Sequence, residues 1–381
     1  MINTYIMQFP KSKRVELELT SKCTIKCPNC PRTYQADNRH LWDNGHIDAD
    51  KLIDFLKLLP IDYVQLTGAY GDPIYYPHLI KTLKAIKEAN LNFNMDTNGS
   101  YRKATDWEQI ADLMTDKDLI TFSIDGTPEN FTQYRINADW PSIKIGIETL
   151  AKQNKPIRWK YIVFKYNCSY EDMKTAYDIA NRIGVTQFEI IDTHRAPAGQ
   201  LVDKKEFNKN LDQLELYVDN LKNSSDSQKT KVTNLTVNVT PRTGMVKKDK
   251  KEWVVPLPED TKETRPYGYI PEVDDEADIV ETKNVYPQCM NVKSYPHFVT
   301  SEGLFLPCCF MRVDQQNWFD QLGITKQDIE SMSIYKHTYE EIINGPAFKK
   351  IMNNFENLEL CRMTCGKKSI TRSEQDAGQE M

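Results

Sequence analysis

The sequence has 381 residues, of which 40% are hydrophobic and 27% charged, and its formal net charge is −5. This length predicts two domains or one large barrel with an appendage, and the composition excludes a disordered chain. The mildly negative net charge shows no excess of basic residues of the kind that nucleic-acid-binding proteins carry. No stretch has the apolar length of a signal-peptide core or a membrane span. The nine cysteines are odd in number and unevenly clustered, which favours reduced thiols or metal ligands in the cytoplasm over a disulfide frame.

Short β-rich runs alternate with amphipathic helical patterns from residue 14 to about residue 192. The predicted strands are VELELT (15–20), YVQLTG (63–68), LNFNMDT (91–97), LITFSID (119–125), IRWKYIVF (157–164) and QFEIID (187–192). Such alternation predicts a parallel sheet with right-handed crossovers. A partial TIM-like (β/α)6 barrel and an open doubly wound sheet both satisfy the pattern.

The periodicity weakens after residue 197 and the cysteines return after residue 286. Residues 198–222 look helical and TNLTVNVT (233–240) resembles a strand, but the following segment is polar, charged and irregular. We therefore predict a core in residues 1–197, a linker or substrate-facing insertion in 198–285, a cysteine-containing domain in 286–366 and a polar tail in 367–381.

Three cysteines crowd the loop that follows the first predicted strand, where α/β folds place their chemistry. Cys23, Cys27 and Cys30 have the spacing C-x3-C-x2-C. Thiolates suit zinc and iron–sulfur clusters alike, and on spacing alone a zinc half-site or three unrelated thiols stay open. A 4Fe-4S cluster held by three cysteines leaves one iron without a protein ligand, and that position can bind a substrate group.

The segment CTIKCPNC (23–30) resembles the signature loop of the radical S-adenosylmethionine (radical SAM) superfamily, although Asn29 replaces the aromatic residue that many members carry. The resemblance implies that S-adenosylmethionine chelates the open iron. It also implies reductive cleavage of that cofactor to a 5′-deoxyadenosyl radical, which abstracts hydrogen from the substrate. A partial (β/α)6 barrel is the fold that the resemblance implies.

Two further segments are similar to cofactor-binding motifs of the superfamily. In QLTGAYGDPIYYP (65–77), Tyr70, Gly71 and Asp72 occupy the places of its G-G-E-P region, with Asp for Glu. In MDTNGS (95–100), Thr97 and Asn98 match its T-N-G. The resemblance implies that the first segment holds the methionine amino group, although the shorter aspartate has less reach. Taken alone, each segment is equally consistent with an ordinary turn.

The fourth and fifth predicted strands end in further candidates. In SIDGTPENFTQYR (123–135), Ser123 and Asp125 are placed to bind ribose hydroxyls, and Arg135 is placed to pair with the cofactor carboxylate. Lys160 and Asn167 match the superfamily's adenosyl-contacting region only weakly, and Asn167 equally suits a helix cap. We expect the nearby Cys168 to be structural.

The second cysteine group has the pattern C-x13-G-x4-C, followed at a distance by C-x3-C. This arrangement resembles the SPASM or shorter twitch domain, which implies one auxiliary 4Fe-4S cluster. Its expected ligands are Cys289, Cys308, Cys361 and Cys365. Structural zinc is the open alternative, and the spacing leaves open whether Cys308 or Cys309 is the ligand.

Together these motifs predict a radical SAM oxidoreductase that modifies a small polar metabolite such as a sugar, cyclitol or nucleotide, with the auxiliary cluster in electron transfer. The alternatives are a maturase for a ribosomally made peptide and a non-catalytic zinc or iron–sulfur module that binds nucleic acid. The expected partners are S-adenosylmethionine, an unidentified substrate and an electron donor such as flavodoxin or ferredoxin. Candidate acid–base groups at the end of the sixth strand are Glu189, Asp192 and His194.

Overall fold

One nine-stranded sheet organises the protein in the computed structural model. The structure describes residues 13–34, 45–192, 199–223, 234–239, 285–287, 297–313, 315–358, 361 and 366–368. Its strands are β1 (Arg14–Glu18), β2 (Tyr63–Thr67), β3 (Asn92–Thr97), β4 (Leu119–Ser123), β5 (Ile157–Val163), β6 (Gln187–Asp192), β7 (Asn234–Val239), β8 (Val285–Pro287), β9 (His297–Val299), β10 (Phe305–Leu306) and β11 (Gly366–Lys368).

The strands β1 to β7 lie side by side in chain order and are all parallel. On the other side of β1, β9 pairs parallel to it and β10 pairs antiparallel to β9, so the sheet order is β10-β9-β1-β2-β3-β4-β5-β6-β7. The two remaining described strands, β8 and β11, form a separate antiparallel pair. The parallel sheet is not closed into a full barrel.

Helices connect the parallel strands and continue into the C-terminal region. In the core they are α1 (Pro31–Tyr34), α2 (Ala49–Lys57), α3 (Leu79–Glu88), α4 (Ala104–Leu113), α5 (Trp140–Lys152), α6 (Tyr170–Ile183) and α7 (Lys204–Asn223). The C-terminal helices span Phe310–Val313, Gln315–Leu322, Lys326–Ser331, Tyr339–Asn344 and Pro346–Asn354. Among the helices described, none is both long and apolar enough to cross a bilayer.

Local sequence fixes several helix ends. The Asp48 side chain accepts a hydrogen bond from the backbone N–H of Lys51 and so caps α2, and Ser169 caps α6 in the same way. Gly184 ends α6 with a left-handed φ of 92°, which a residue with a Cβ adopts only at a cost. A polar cap residue or a terminal glycine therefore sets each of these helix ends.

One face of the sheet is apolar and packs against the helices. Trp107 of α4 contacts Phe122 of β4, with ring centroids 5.3 Å apart, and Tyr177 of α6 contacts Phe188 of β6 at 5.7 Å. These residues are almost fully buried. This side of the sheet therefore holds the main hydrophobic core, and the burial of its aromatic rings is a large part of what stabilises the fold.

The opposite face of the same strands is polar, because successive side chains along a strand point to opposite sides. Its residues alternate with the buried ones along each strand; they include Glu16, Gln65, Asn94, Asp96, Thr121, Ser123, Arg158, Lys160 and Glu189. We call this surface the polar face. It is the concave lining that a partial barrel offers to a ligand.

The predicted α/β architecture is confirmed, including all six predicted strands and a sheet that curves without closing. The sheet also extends further than the predicted core, because β7 pairs with β6 along its whole length. In the C-terminal region, β9 and β10 form an antiparallel hairpin over residues 297–306. Its turn residue Gly303 has a φ of 81°, and a Cβ there would come within 2.5 Å of the Tyr335 ring.

Candidate cofactor and iron–sulfur site

The three clustered cysteines lie on one compact loop that follows β1, and we call residues 20–30 the cluster loop. The backbone N–H of Cys30 donates to the carbonyl of Cys27 at 3.1 Å, and the loop continues directly into α1. Arg32 of α1 donates to the carbonyl oxygens of Cys23 and Ile25. Local hydrogen bonds therefore place Cys27 and Cys30 in one turn and connect Cys23 to α1 through Arg32.

The thiols suit a cluster whose irons each take a different sulfur. Burial raises the pKa of Cys27 to about 11 and also raises the pKa of Cys23 and Cys30, so the three thiols keep their protons near neutral pH. A metal that binds them must displace these protons and convert the thiols to thiolates. In the described part of the chain, no three His, Cys, Asp or Glu side chains converge on a point that one metal ion could fill. A 4Fe-4S cluster takes each cysteine sulfur at a different iron, so its three ligand thiols need not meet at one point.

Two side chains from other loops donate to the cluster-loop sulfurs. The Asn98 amide Nδ2 lies 3.5 Å from Cys23 Sγ, and Arg135 Nη1 lies 3.7 Å from Cys27 Sγ. Hydrogen bonds and positive charge at the sulfurs raise the reduction potential of an iron–sulfur cluster. The sequence motifs that predicted cofactor contacts therefore also reach the cluster ligands.

A second loop, residues 68–72, packs directly on the cluster loop, and we call it the cofactor loop. A Cβ on Gly71 would lie 1.8 Å from the Thr20 carbonyl oxygen, so only glycine permits this approach. The backbone N–H of Asp72 donates to the carbonyl of Lys22 at 3.0 Å. Tyr70 of the same loop is 4% exposed and lies beneath the guanidinium of Arg312.

The Asp72 carboxylate connects the cofactor loop to the end of β3. Its Oδ2 accepts hydrogen bonds from the backbone N–H and the side-chain amide of Asn98, both at 2.6 Å. Its Oδ1 accepts from Thr97 Oγ1 at 2.8 Å and from the Ile74 N–H at 3.0 Å. Burial raises the pKa of Asp72, while these four donors oppose the rise. In this structure the Asp72 carboxylate therefore accepts all four of these hydrogen bonds from neighbouring protein groups.

Asp125 and Arg135 form a buried ion pair on the other side of the cluster loop. Arg135 Nε donates to Asp125 Oδ2 at 2.6 Å, and the Ile162 N–H donates to Oδ1 at 2.9 Å. The Asp125 side chain is fully buried and that of Arg135 is 14% exposed. Arg135 thus bridges an acidic side chain and a cluster-loop sulfur.

The remaining predicted cofactor contacts lie at the ends of β4 and β5. Ser123 is half-buried at the end of β4 and lies beside Lys160 of β5, which pairs with Asp96 at 3.4 Å. Asn167 is fully buried, and its amide donates to the carbonyls of Asp125 and Ile162, so it fixes the turn after β5. Cys168 is buried in the hydrophobic core.

The predicted acid–base candidates separate onto two faces of β6. Glu189 lies on the polar face, with an oxygen 3.6 Å from Arg158 Nη1. Asp192, three residues on, lies on the opposite face and pairs with Lys204 of α7. His194 lies outside the described residues.

The second cysteine group is described in part. Cys308 and Cys309 follow β10, and Cys361 is half-buried against the core. Cys289 and Cys365 lie outside the described residues. The strand β8 ends two residues before Cys289 and pairs with β11, which begins directly after Cys365.

Cys309 has a partner within the polar face. Its thiol hydrogen-bonds the Glu16 carboxyl of β1. Burial raises the pKa of Glu16 to about 7, although this hydrogen bond and the nearby Arg14 oppose the rise. The side chain of Cys309 therefore faces β1.

Sequence motifs missed two buried residues that join the halves of the site, Glu18 and Arg312. Glu18 is the last residue of β1 and is fully buried, and Arg312 follows Cys308 by four residues. The available signal for Glu18 was the alternation of VELEL, which places two acidic residues on the polar face of an otherwise apolar strand. Nothing in the local sequence distinguishes Arg312 from an exposed arginine.

Comparison with known proteins supports the same assignment in both halves of the chain. Residues 17–180 match the model of the radical SAM superfamily, and residues 289–366 match SPASM, an iron–sulfur cluster-binding domain. A curated relative from Pyrococcus furiosus, the tungsten-containing aldehyde ferredoxin oxidoreductase cofactor-modifying protein, is 26% identical over 119 residues. That match covers 30% of this chain and about a third (32%) of the relative.

Solved structures share the fold at low sequence identity. Streptococcus suis SuiB bound to S-adenosylmethionine aligns with a TM-score of 0.57 and 16% identity, over 93% of this chain and 72% of SuiB. Native anSMEcpe with bound AdoMet and Cp18Cys peptide aligns with a TM-score of 0.54 and 13% identity, over 92% of this chain and 88% of that chain.

The two matched domains imply 4Fe-4S clusters and S-adenosylmethionine, and the cluster loop fits the first of these clusters. The predicted signature segment at residues 23–30 lies inside the first matched region, and the second cysteine group lies inside the second. The chain therefore belongs to the radical SAM superfamily and carries a C-terminal SPASM iron–sulfur domain.

Proposed function

We propose that this chain abstracts a hydrogen atom from a polar substrate bound against the polar face and completes an oxidation of that substrate. When bound, the clusters supply the electron that cleaves S-adenosylmethionine and accept the electron that the substrate loses. The protein's own residues hold the cofactor at the carboxyl ends of β1 to β4 and keep the reacting carbon out of bulk water.

The observation that carries this proposal is the connection between the cluster loop and the cofactor motifs. Asn98 contacts both Asp72 and Cys23, and Arg135 contacts both Asp125 and Cys27. Residues that follow β2, β3 and β4 therefore meet around the thiols that follow β1. Such convergence fits a cofactor that must touch the cluster and the barrel together.

The charges on the polar face favour a polar substrate. Lys160 pairs with Asp96, and Arg158 pairs with Glu189, all half-buried or nearly buried in the concave side of the sheet. A hydrophobic substrate would desolvate these groups without replacing their hydrogen bonds, which costs several kcal/mol. Hydroxyl, amide or charged groups satisfy them. Of the three acid–base candidates, we propose Glu189, because Asp192 lies on the opposite face of β6 and His194 lies outside the described residues.

A small metabolite such as a sugar, cyclitol or nucleotide satisfies that requirement. A ribosomally made peptide is the second candidate, and the solved structures favour it. SuiB has been solved with its precursor peptide SuiA, and anSMEcpe with the Cp18Cys peptide; both align over more than 90% of this chain. An open sheet also leaves room for an extended chain.

For the auxiliary cluster we propose Cys289, Cys308, Cys361 and Cys365 as ligands. Cys308 is preferred over Cys309 because it completes the C-x13-G-x4-C spacing around the hairpin turn at Gly303. Four protein ligands leave such a cluster without an open position, which suits electron transfer rather than substrate binding.

The test begins with anaerobic reconstitution with iron and sulfide, which we expect to give about eight irons per chain. With dithionite and S-adenosylmethionine, the protein should form 5′-deoxyadenosine. Replacing Cys23, Cys27 and Cys30 together by alanine should abolish this product and remove about four irons. Cys168→Ala, in the core, is the matched control and should keep both. Cofactor cleavage by the triple variant would refute the assignment.

The auxiliary cluster and the substrate need separate measurements. Replacing Cys361 and Cys365 by alanine should leave 5′-deoxyadenosine formation intact but abolish substrate oxidation. Deuterated peptides and deuterated sugars, cyclitols and nucleotides can then be compared by deuterium transfer into 5′-deoxyadenosine. Transfer from one class identifies the substrate type. Replacing dithionite by reduced flavodoxin or ferredoxin tests the proposed electron donor.

A further inference from the structure

A fully buried carboxylate joins the cofactor loop to the C-terminal domain. Glu18 Oε2 accepts hydrogen bonds from the backbone N–H groups of Ala69 at 2.8 Å and Tyr70 at 2.9 Å. Its other oxygen, Oε1, accepts from Arg312 Nε at 3.0 Å and from Ser301 Oγ at 3.1 Å. Oε2 of Glu18 therefore binds the cofactor loop, whereas Oε1 of the same side chain binds the C-terminal domain.

Arg312 balances that buried charge. Its side chain is 1% exposed, and its Nη2 lies 2.9 Å from Glu18 Oε1 and 2.8 Å from Glu302 Oε1. Its guanidinium carbon also lies 4.7 Å from the centre of the Tyr70 ring, within the range of a cation–π contact. One cation of the C-terminal domain thus contacts both the carboxylate and the cofactor loop that the carboxylate holds.

The position of the cofactor loop in turn fixes its distance from the cluster loop. Gly71 touches the Thr20 carbonyl so closely that a methyl group has no room, and Asp72 is bonded to Lys22 through the backbone. A shift of Ala69 or Tyr70 by even a fraction of an ångström is transmitted through this contact, because packed backbone segments do not deform smoothly.

We propose that Arg312 is a positioning residue for S-adenosylmethionine: by neutralising Glu18, it lets the docked C-terminal domain hold the cofactor loop in its binding geometry. This rests on membership of the radical SAM superfamily and not on the proposed substrate. Cys308, a proposed auxiliary-cluster ligand, belongs to the turn that leads into Arg312. The auxiliary domain and the cofactor site are therefore mechanically coupled through one ion pair.

Removing one partner of a buried ion pair leaves an uncompensated charge, whereas removing both charges is tolerated far better. In Arg312→Met, Glu18 must take up a proton or water, and its bonds to Ala69 and Tyr70 weaken. In the double variant Glu18→Gln/Arg312→Met, the glutamine oxygen still accepts from those two N–H groups. Its amide can also donate to Ser301. The double variant should therefore recover what the single variant loses.

The experiment measures the dissociation constant of S-adenosylmethionine on the reconstituted full chain by anaerobic equilibrium dialysis. The change that the cofactor causes in the EPR spectrum of the reduced cluster is recorded in parallel. We expect Arg312→Met to bind about 10-fold or more weakly with its iron content unchanged, and the double variant to bind within about 3-fold of wild type. Lys336→Met, which removes an exposed cation of the same domain, should bind as wild type does.

Wild-type affinity in Arg312→Met would overturn the proposal, and so would a double variant no better than the single one. If Arg312→Met does not fold, folding and cofactor binding of the double variant alone test the proposal. Folded protein that binds the cofactor within about 3-fold of wild type supports the coupling, and failure to fold or to bind refutes it. If the wild-type protein binds the cofactor but oxidises no substrate, that result refutes the proposed function and leaves the role of Arg312 unaffected.

Discussion

The carboxylate of Asp72 offers a direct test of how the cofactor loop is held. In Asp72→Asn, one of the two acceptor oxygens becomes an NH2 group. With its NH2 group at the Oδ1 position, the amide faces the Ile74 N–H, which cannot accept a hydrogen bond, and the Thr97 hydroxyl, which can turn to accept one. With the NH2 group at the Oδ2 position, it faces the two donors of Asn98, and one bond is restored only by a rotation of the Asn98 amide that withdraws the donor from Cys23 Sγ. In either orientation at least one of the four hydrogen bonds is lost.

The expected cost follows from these contacts. A hydrogen bond to a charged group contributes about 1.5–3 kcal/mol, so the one bond that cannot be restored amounts to about 1.5–3 kcal/mol. The remaining bonds also weaken, because their acceptor no longer carries a charge. Replacing a buried carboxylate by a neutral amide also relieves the desolvation that raises the pKa of Asp72. We therefore expect a net loss of about 2 kcal/mol in the free energy of unfolding.

Denaturant unfolding without S-adenosylmethionine, followed by cofactor binding, separates two roles for Asp72. If it orders the loop, stability falls in the absence of cofactor and affinity falls with it. If its carboxylate instead binds the methionine amino group, as the motif implies, affinity falls while stability without cofactor stays near wild type. Asp62→Asn is the control, because its side chain is 71% exposed and pairs only at the surface. Stability equal to that of the control would refute the structural role.

Three further outcomes are expected. Cys308→Ser should lose about four irons per chain, whereas Cys309→Ser should keep them; loss of iron from the second variant alone would reverse the ligand assignment. Burial lowers the pKa of His297 to about 3 from 6.5, so the unfolded chain binds a proton that the folded chain does not, and stability is lost as pH falls below 6.5. Between pH 7 and pH 5 this amounts to about 2 kcal/mol, which denaturant titration should find as a difference in pH dependence between the wild type and His297→Phe, while the half-exposed control His337→Asn should follow the wild type. The difference is the informative quantity because protonation of Glu16, whose pKa is raised to about 7, stabilises the folded chain over the same pH range in all three proteins. Arg135→Gln leaves a fully buried carboxylate without its cation and should destabilise the protein by about 3 kcal/mol in the same titration; a loss below about 1 kcal/mol would contradict the role assigned to this pair.

The local sequence was sufficient for the strands and the cluster loop. Alternation and helical periodicity identify β1 to β6, because burial of one face of a sheet imposes a period of two on the side chains. The cysteine spacing identifies the cluster loop for a similar reason, since all three ligands lie within eight consecutive residues. β7 carries the same kind of pattern, but only its pairing with β6 shows that it continues the core sheet.

The resemblance to superfamily motifs and the positions after predicted strands also selected Asp72, Asn98 and Arg135, but they could not show what each side chain contacts. A motif places a residue at a strand end, whereas the partner of its polar atoms depends on which loops lie opposite. For this reason Asp72 was expected at the cofactor and is found bonded to Thr97 and Asn98. Likewise, the spacing could not show that Cys309 interacts with Glu16, which lies on a distant strand.

Short segments of the sequence are enough to identify the superfamily and the parallel architecture, because the residues that encode each act together locally. The cysteines proposed as ligands of the first cluster also lie in one such segment. How the two domains meet is visible only in the folded chain. Glu18 and Arg312 are 294 residues apart, and neither belongs to a motif. Their pairing follows from the docking of β9 beside β1, which buries a carboxylate so completely that it requires a cation from the other domain.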